Sequence, residues 1–232
     1  MSKELELKYR IKEPALGTIN EFLTIDKISN FNLSDIEKKD IVDVYYDTQD
    51  YKISKSNSVL RLRVENFNSF FITIKTSLPR KDSESAAFER DEYEDSLTEE
   101  VVTEVYHKLK KFGLEIPDFE RNDFLNYGLY GMFKIWDLKE IFVCENTRKI
   151  RNLFENKNIV AELCIDDVLV STFGKKEKFQ EMEIEAKNGN FDKIEQISDF
   201  LKVNYSEKLD TGKQSKYETG IRLLLGKNIV EY

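Results

Sequence analysis

Charged and apolar residues alternate with period two at several places along the chain, and this alternation is the strongest pattern in it. In Glu4-Leu5-Glu6-Leu7-Lys8 an extended backbone puts Glu4, Glu6 and Lys8 on one face and Leu5, Leu7 and Tyr9 on the other. The spacing returns in Glu181-Met182-Glu183-Ile184-Glu185-Ala186-Lys187, where Glu183 to Lys187 again reads E-x-E-x-K. Arg61-Leu62-Arg63 and Arg90-Asp91-Glu92-Tyr93-Glu94 space like charges the same way. One such strand simply presents its charged face to water. Several in one chain point to a shared polar surface.

Other segments read as strands by the same rule: 41–48, ending in a polar turn; 58–64, with Leu60, Leu62 and Val64 opposite Arg61 and Arg63; and 70–76, with Phe71, Thr73 and Lys75 on one face. Strands are also expected at 87–94, 139–153 and 159–171, with turns at 66–69, 156–158 and 174–178. Helical spacing follows Pro14 in Leu16, Ile19, Phe22 and Leu23, and follows Asn190 in Phe191, Ile194, Ile197 and Leu201. Capping boxes are read at Ser96-Leu97-Thr98-Glu99, with a helix stopping at Gly113, and at Thr211-Gly212-Lys213-Gln214, opening a helix through Leu225. A short helical turn is expected near Tyr51, and the aromatic-rich stretch 111–138 as a helical or irregular insertion on the rim. The prediction is an α+β fold: an eight-stranded, mainly antiparallel closed β-barrel with helices packed outside, forming one domain over 1–232.

Composition narrows the function. The net charge of −8 argues against general nucleic-acid binding while leaving room for a local basic pocket. No apolar run approaches the roughly 18–20 residues of a membrane helix. The N-terminus opens directly into a charged strand, so a cytoplasmic location is the expectation. Cys144 and Cys164 lie in apolar runs without metal-ligand spacing and read as buried free thiols. His107, the single histidine, falls in a charged helix and reads as a surface residue. Acid-base chemistry must therefore come from carboxylates, lysines, tyrosines or water.

If the charged faces turn inward, the interior gathers Lys8, Arg61, Arg63, Lys75, Arg90 and Arg148 with Glu4, Glu6, Glu92, Glu94, Asp166, Glu181, Glu183 and Glu185. Such a lining must stay wet and mutually paired, or be matched by a ligand. Crowded carboxylates repel one another, and a hard divalent cation, Mg²⁺ or Mn²⁺, relieves the repulsion. Arginine forks and lysine ammoniums complement phosphoryl oxygens. These pieces suit phosphoanhydride chemistry, and the chain has no glycine-rich P-loop.

In that order along the chain, Glu4-Leu5-Glu6-Leu7-Lys8, Tyr45-Tyr46-Asp47-Thr48, Leu60-Arg61-Leu62-Arg63, Ile72-Thr73-Ile74-Lys75 and Arg90-Asp91-Glu92-Tyr93-Glu94 resemble motifs of the CYTH superfamily, the triphosphate tunnel metalloenzymes. Thr147-Arg148, Ala161 to Val168, Glu181-Met182-Glu183-Ile184-Glu185 and Lys213-Gln214-Ser215-Lys216-Tyr217 continue the resemblance. It implies a tunnel that binds a linear triphosphate, a small-molecule partner, with Mg²⁺ or Mn²⁺. By motif position Lys8, Arg61, Arg63, Lys75, Arg90, Arg148, Lys213 and Lys216 would bind phosphate. Glu4, Glu6, Asp166, Glu183 and Glu185 would hold metal and orient water, the final lysines acting from a helix at one mouth. Arg151 competes with Arg148 for the interior, and Asp167 with Asp166, because odd separations put each pair on opposite faces. The leading expectation is a triphosphatase that cleaves inorganic tripolyphosphate. The alternatives are a thiamine or nucleoside triphosphatase, a class IV adenylate cyclase, or a non-catalytic polyphosphate- or nucleotide-binding module.

Overall fold

A computed structural model describes residues 2–12, 16–77, 87–118, 121–211 and 215–226. Strand β1 (Ser2–Ile11) is followed by helix α1 (Leu16–Thr24), the short strands β2 (Lys27–Ile28) and β3 (Phe31–Leu33), β4 (Glu37–Asp47) and the one-turn helix α2 (Lys52–Lys55). Next come β5 (Ser58–Glu65), β6 (Ser69–Ser77), β7 (Ala87–Ser96), α3 (Glu99–Lys111) and α4 (Arg121–Ile135). The chain continues with β8 (Lys139–Glu155), β9 (Asn158–Thr172), β10 (Lys175–Ala186), α5 (Phe191–Tyr205), β11 (Leu209–Thr211) and α6 (Lys216–Leu225).

The strands form one antiparallel sheet in the order β2-β3-β8-β4-β5-β6-β7-β1-β10-β9, with β11 on β1 and a further pairing of β8 with β9. This is an eleven-stranded sheet, where the sequence reading expected eight strands. The additional strands β2, β3 and β11 are two or three residues long, too short for a period-two pattern to register.

Side-chain alternation sorts the sheet into two faces. On the outer face Leu7, Leu163, Met182 and Ile184 pack with Ile19 and Phe22 of α1 and Ile194, Ile197 and Leu201 of α5. Leu60, Ile72 and Ile74 pack with Val102, Val105 and Leu109 of α3 and with Met132, Phe133 and Trp136 on and after α4. The apolar residues between the charges of β1, β5 and β10 are thus covered, and their described charged positions turn to the opposite face.

Helices α1, α3 and α5 pack outside as expected, and helix α6 lies at one end of the inner face, where the helix carrying the final lysines is expected. Its Tyr217 and Ile221 join Tyr45, Phe142, Cys144, Val168 and Val170, which alternate along their strands with the outward set. The helix therefore sits against the inner face at one end of the strands. Gly220 permits this approach, because a Cβ there would collide with the Phe142 ring.

Several local expectations shift. The final helix is capped four residues later than read: Ser215 Oγ accepts from Glu218 N, and Glu218 closes the capping box, while Thr211 belongs to β11. Thr98, not Ser96, caps α3, accepting from Val101 N. The turn after β9 is tighter than 174–178, since β10 begins at Lys175. Stretch 111–138 contains α4, with a break at Gly128, whose φ of 62° is one that glycine adopts without strain. Pro14 and the first helix's predicted start lie outside the described residues. Cys144 and Cys164 are buried and unpaired, and His107 is exposed. Among the described residues, no helix is long and apolar enough to cross a membrane.

Candidate active site

The two E-x-E-x-K strands lie beside each other in antiparallel register, Glu6 opposite Glu185 and Lys8 opposite Glu183. Reversing one copy of the motif against the other places a base against an acid. Lys8 Nζ stands 2.7 Å from Glu183 Oε1 and 3.4 Å from Glu6 Oε1. Strand β9 adds Asp166, whose register partners are Glu181 and Arg148. Arg148 donates to both Asp166 oxygens, at 2.8 and 2.6 Å, and to Glu183 Oε2 at 2.5 Å. From the first turn of α6, Lys216 Nζ reaches Asp166 Oδ2 at 2.8 Å, Glu183 Oε1 at 3.1 Å and Glu181 Oε1. Lys8, Lys216 and Arg148 thus interleave with Asp166, Glu181 and Glu183.

A second group lies on β4 to β7. Asp43, 2% exposed, accepts from Arg63 Nε at 2.8 Å and NH2 at 3.0 Å, and from Arg61 NH1 at 3.3 Å. Arg61 also donates to Thr73 Oγ1 at 3.1 Å and to Glu94 Oε2 at 2.9 Å. Lys75 lies two residues beyond Thr73 on the same face of β6. The groups are within electrostatic reach, since Lys216 is among the cations that favour the charged form of Asp43.

The charge states follow from burial set against neighbours. Burial opposes the Lys8 ammonium, but Glu183, Glu6 and Glu181 outweigh it, and its pKa rises. Lys216 is likewise raised well above its usual value, burial being overcome by Asp166, Glu181 and Glu183. Burial would lift Glu183 and Asp166, yet Lys216 with Lys8 holds Glu183, and Arg148 with Lys216 holds Asp166, below the ordinary carboxylate range. At Glu181 burial prevails and the pKa is raised. In the second group Arg61 and Arg63 overcome burial to pull Asp43 down and Glu94 to about 2.

The two competitions are resolved by placement. Arg148 faces inward; Arg151 faces outward, donating to Ser34 O at 2.7 Å, Phe22 O at 3.1 Å and Ile25 O at 2.7 Å, where it satisfies the carbonyl end of α1. Asp166 is fully buried in the cluster, while Asp167 lies 3.3 Å from Lys149 on the other face. Glu185 shares the inward face and sits 2.8 Å from Lys187. The side chains of Glu4, Arg90 and Glu92 lie outside the described set, although Glu4 and Arg90 are backbone register partners. Lys213 lies outside the described residues.

Sequence reasoning missed Asp43 and Arg10. A lone carboxylate between Val42 and Val44 in a strand was the available signal for Asp43, and it pairs in register with Arg63. Arg10 extends the Glu4, Glu6, Lys8 alternation by one step. Its NH2 donates to Thr219 Oγ1 of α6 at 3.0 Å, and its guanidinium stacks 3.2 Å from the Phe179 ring centroid.

The donor set fits a hard divalent cation. Asp166, Glu181 and Glu183 each offer an oxygen, all within 4.8 Å of one another. Glu181 Oε2 is buried and has no hydrogen-bond donor. Carboxylate oxygens of this kind suit Mg²⁺ or Mn²⁺ rather than soft metals.

A family model described as the CYTH domain matches residues 2–216, and the chain belongs to that family. Solved structures share the fold. HpAC1 from Hippeastrum, described as a candidate adenylyl cyclase with a dominant triphosphatase activity, is 17% identical, with 97% of each chain covered and a TM-score of 0.59. A candidate adenylate cyclase from Bacillus halodurans is 20% identical, covering 94% of this chain and 98% of its own, with a TM-score of 0.54. The PH1819 protein from Pyrococcus horikoshii is 22% identical over the same shares, with a TM-score of 0.51. No curated protein sequence matches the chain.

Proposed function

We propose that the chain is a metal-dependent triphosphatase whose substrate is inorganic tripolyphosphate. The observation that carries this reading is the convergence of Lys8, Arg148 and Lys216 with Asp166, Glu181 and Glu183 on one inward face, beside the Arg61 and Arg63 forks. The pairing of β8 with both β4 and β9 gives each of the eight long strands two neighbours, which supports a continuous wall around that face.

In this reading Arg61, Arg63, Lys75, Arg148 and Lys216 hold phosphoryl oxygens, with Lys8 at the reacting end. Arg90 and Lys213 are assigned the same role by motif position. Asp166, Glu181 and Glu183 would hold Mg²⁺ or Mn²⁺, and Glu4, Glu6 and Glu185 complete the acidic set. When bound, the cation neutralises charge on the transferred phosphoryl group and makes water a better nucleophile. A water oxygen bonds to the terminal phosphorus as the bridging P–O bond breaks, releasing orthophosphate and diphosphate. An interior carboxylate accepts the proton, and Glu181 Oε2 has no competing donor. The fixed cations stabilise charge on the leaving diphosphate without reorganising.

The test is phosphate release from tripolyphosphate, ATP, thiamine triphosphate and diphosphate, each with Mg²⁺, Mn²⁺ or a chelator. The reading requires a preference for tripolyphosphate and loss of turnover with chelator. Diphosphate together with a cyclic nucleotide from ATP would instead assign a cyclase, and binding without turnover a polyphosphate-binding module.

A further inference from the structure

Lys216 is the only member of the described charged cluster that comes from a helix instead of a strand, and it opens that helix. A strand side chain is aimed by its register. A lysine in a first helical turn is aimed only by whatever fixes the helix's position and rotation. The capping box of Ser215 and Glu218 fixes the backbone start but leaves the rotation of α6 against the sheet undetermined.

Packing of Ile221 and Gly220 seats the helix, and a chain of hydrogen bonds adds a directional constraint at its first turn. Asp47, fully buried at the end of β4, accepts from Thr48 N at 2.7 Å, Ile53 N at 3.0 Å and Ser54 N at 3.0 Å, and also from the Ser54 hydroxyl. These bonds lock α2, whose four residues would be unstable alone. Ser54 Oγ in turn bonds the hydroxyl of Tyr217, the residue next to Lys216. The Tyr217 ring rests 5.7 Å from that of Tyr45 and 5.8 Å from that of Phe142. On the other side, Thr219 Oγ1 accepts from Arg10.

We propose that Asp47 and Ser54 are positioning residues for Lys216, acting through the Tyr217 hydroxyl to set the rotation of α6 and so the aim of the ammonium at Asp166, Glu181 and Glu183. Their role in turnover rests on the reading of Lys216 as a phosphate-holding cation. The coupling itself does not.

The test uses the full chain with Tyr217→Phe, which keeps the ring and removes the bond, together with Ser54→Ala and Ser54→Thr. Lys216 acylation by an amine reagent, followed by peptide mass spectrometry, reads the coupling without any substrate. Labelling is expected to speed up about tenfold in Tyr217→Phe and Ser54→Ala, as local opening becomes easier, and to return toward the parent rate in Ser54→Thr. Leu201→Ala, in the outer core, controls for general loosening and is expected to lower the melting temperature without exposing Lys216. With tripolyphosphate, kcat is expected to fall between about tenfold and a hundredfold with little change in KM. Unchanged Lys216 labelling in Tyr217→Phe and Ser54→Ala, or an equal increase in Leu201→Ala, overturns the proposal. A parent enzyme inert toward tripolyphosphate would overturn the triphosphatase reading, and the labelling result would still decide the coupling.

Discussion

Lys8 and Glu183 are register partners across the β1–β10 pair, and their side chains meet at 2.7 Å. The contact joins the two copies of one short charged motif. Antiparallel pairing reverses the second copy, so the lysine of one falls against a carboxylate of the other, and neither strand faces like charge at that point.

Glu183→Gln removes the partner shared by Lys8, Arg148 and Lys216. Breaking one side of a buried ionic cluster costs about 3 kcal/mol or more. The expected outcome is a folded but less stable protein by denaturant titration, with triphosphatase activity reduced at least about a hundredfold.

The acid side of the stability profile follows from the lowered carboxylates. Asp43, Asp166, Glu183 and Glu94 have folded values below their unfolded ones, because neighbouring cations overcome burial. Their stabilisation is complete above the unfolded value and is lost as pH falls through the folded one. For Glu94 that window runs from 4.5 down to about 2. Glu181, raised by burial, acts with the opposite sign: ionising it costs stability as pH rises through its folded value, which softens the acid loss. Lys8 and Lys216, raised above 10.5 by their carboxylate partners against burial, stabilise fully below that value and lose the effect only as pH climbs through the raised values. Melting temperatures are therefore expected to drop steeply below pH 4.5, and Glu94→Gln to flatten that drop.

Arg148 and Arg151 separate site from scaffold. Arg151→Ala strands three carbonyls around the end of α1 and is expected to cost about 2 kcal/mol in stability, with kcat and KM close to the parent. Arg148→Ala is expected to abolish most turnover. Parallel urea titrations and phosphate-release assays on the two variants check the contrast.

Gly220→Ala tests the seat of α6. The added methyl would strike the Phe142 ring, so the helix must lift and carry Lys216 away from its carboxylates. Reduced activity and a lower melting temperature are expected, with both partly restored when Phe142→Leu is added. A double-mutant cycle measures the coupling.

The long strands were legible because alternation with apolar neighbours survives in sequence, as in Arg61-Leu62-Arg63 and Glu181 to Glu185. Their inward direction could not be read from periodicity, which is the same for a face turned to solvent. Only the outer covering of α1, α3 and α5 decides it. Asp43 was hidden because a single carboxylate among valines has no period of its own. Asp47 and Thr48 were visible as part of a motif but not as chemistry. Their local work is capping, with Asp47 accepting from Ile53 N and Thr48 Oγ1 from Lys52 N; the short turn expected near Tyr51 is there as α2, but the bonds that hold it reach back to the end of β4 and leave no spacing signature in the sequence.

A crystal grown with tripolyphosphate and Mn²⁺ decides whether the inner cluster binds both, because manganese is located by its anomalous scattering and the phosphate chain by its density. A manganese peak is expected against Asp166, Glu181 and Glu183, with phosphoryl groups between Lys8, Arg148 and Lys216 and the Arg61–Arg63 pair. Triphosphate bound only to lysines on the outer face, with the inner cluster still closed on itself, would contradict it.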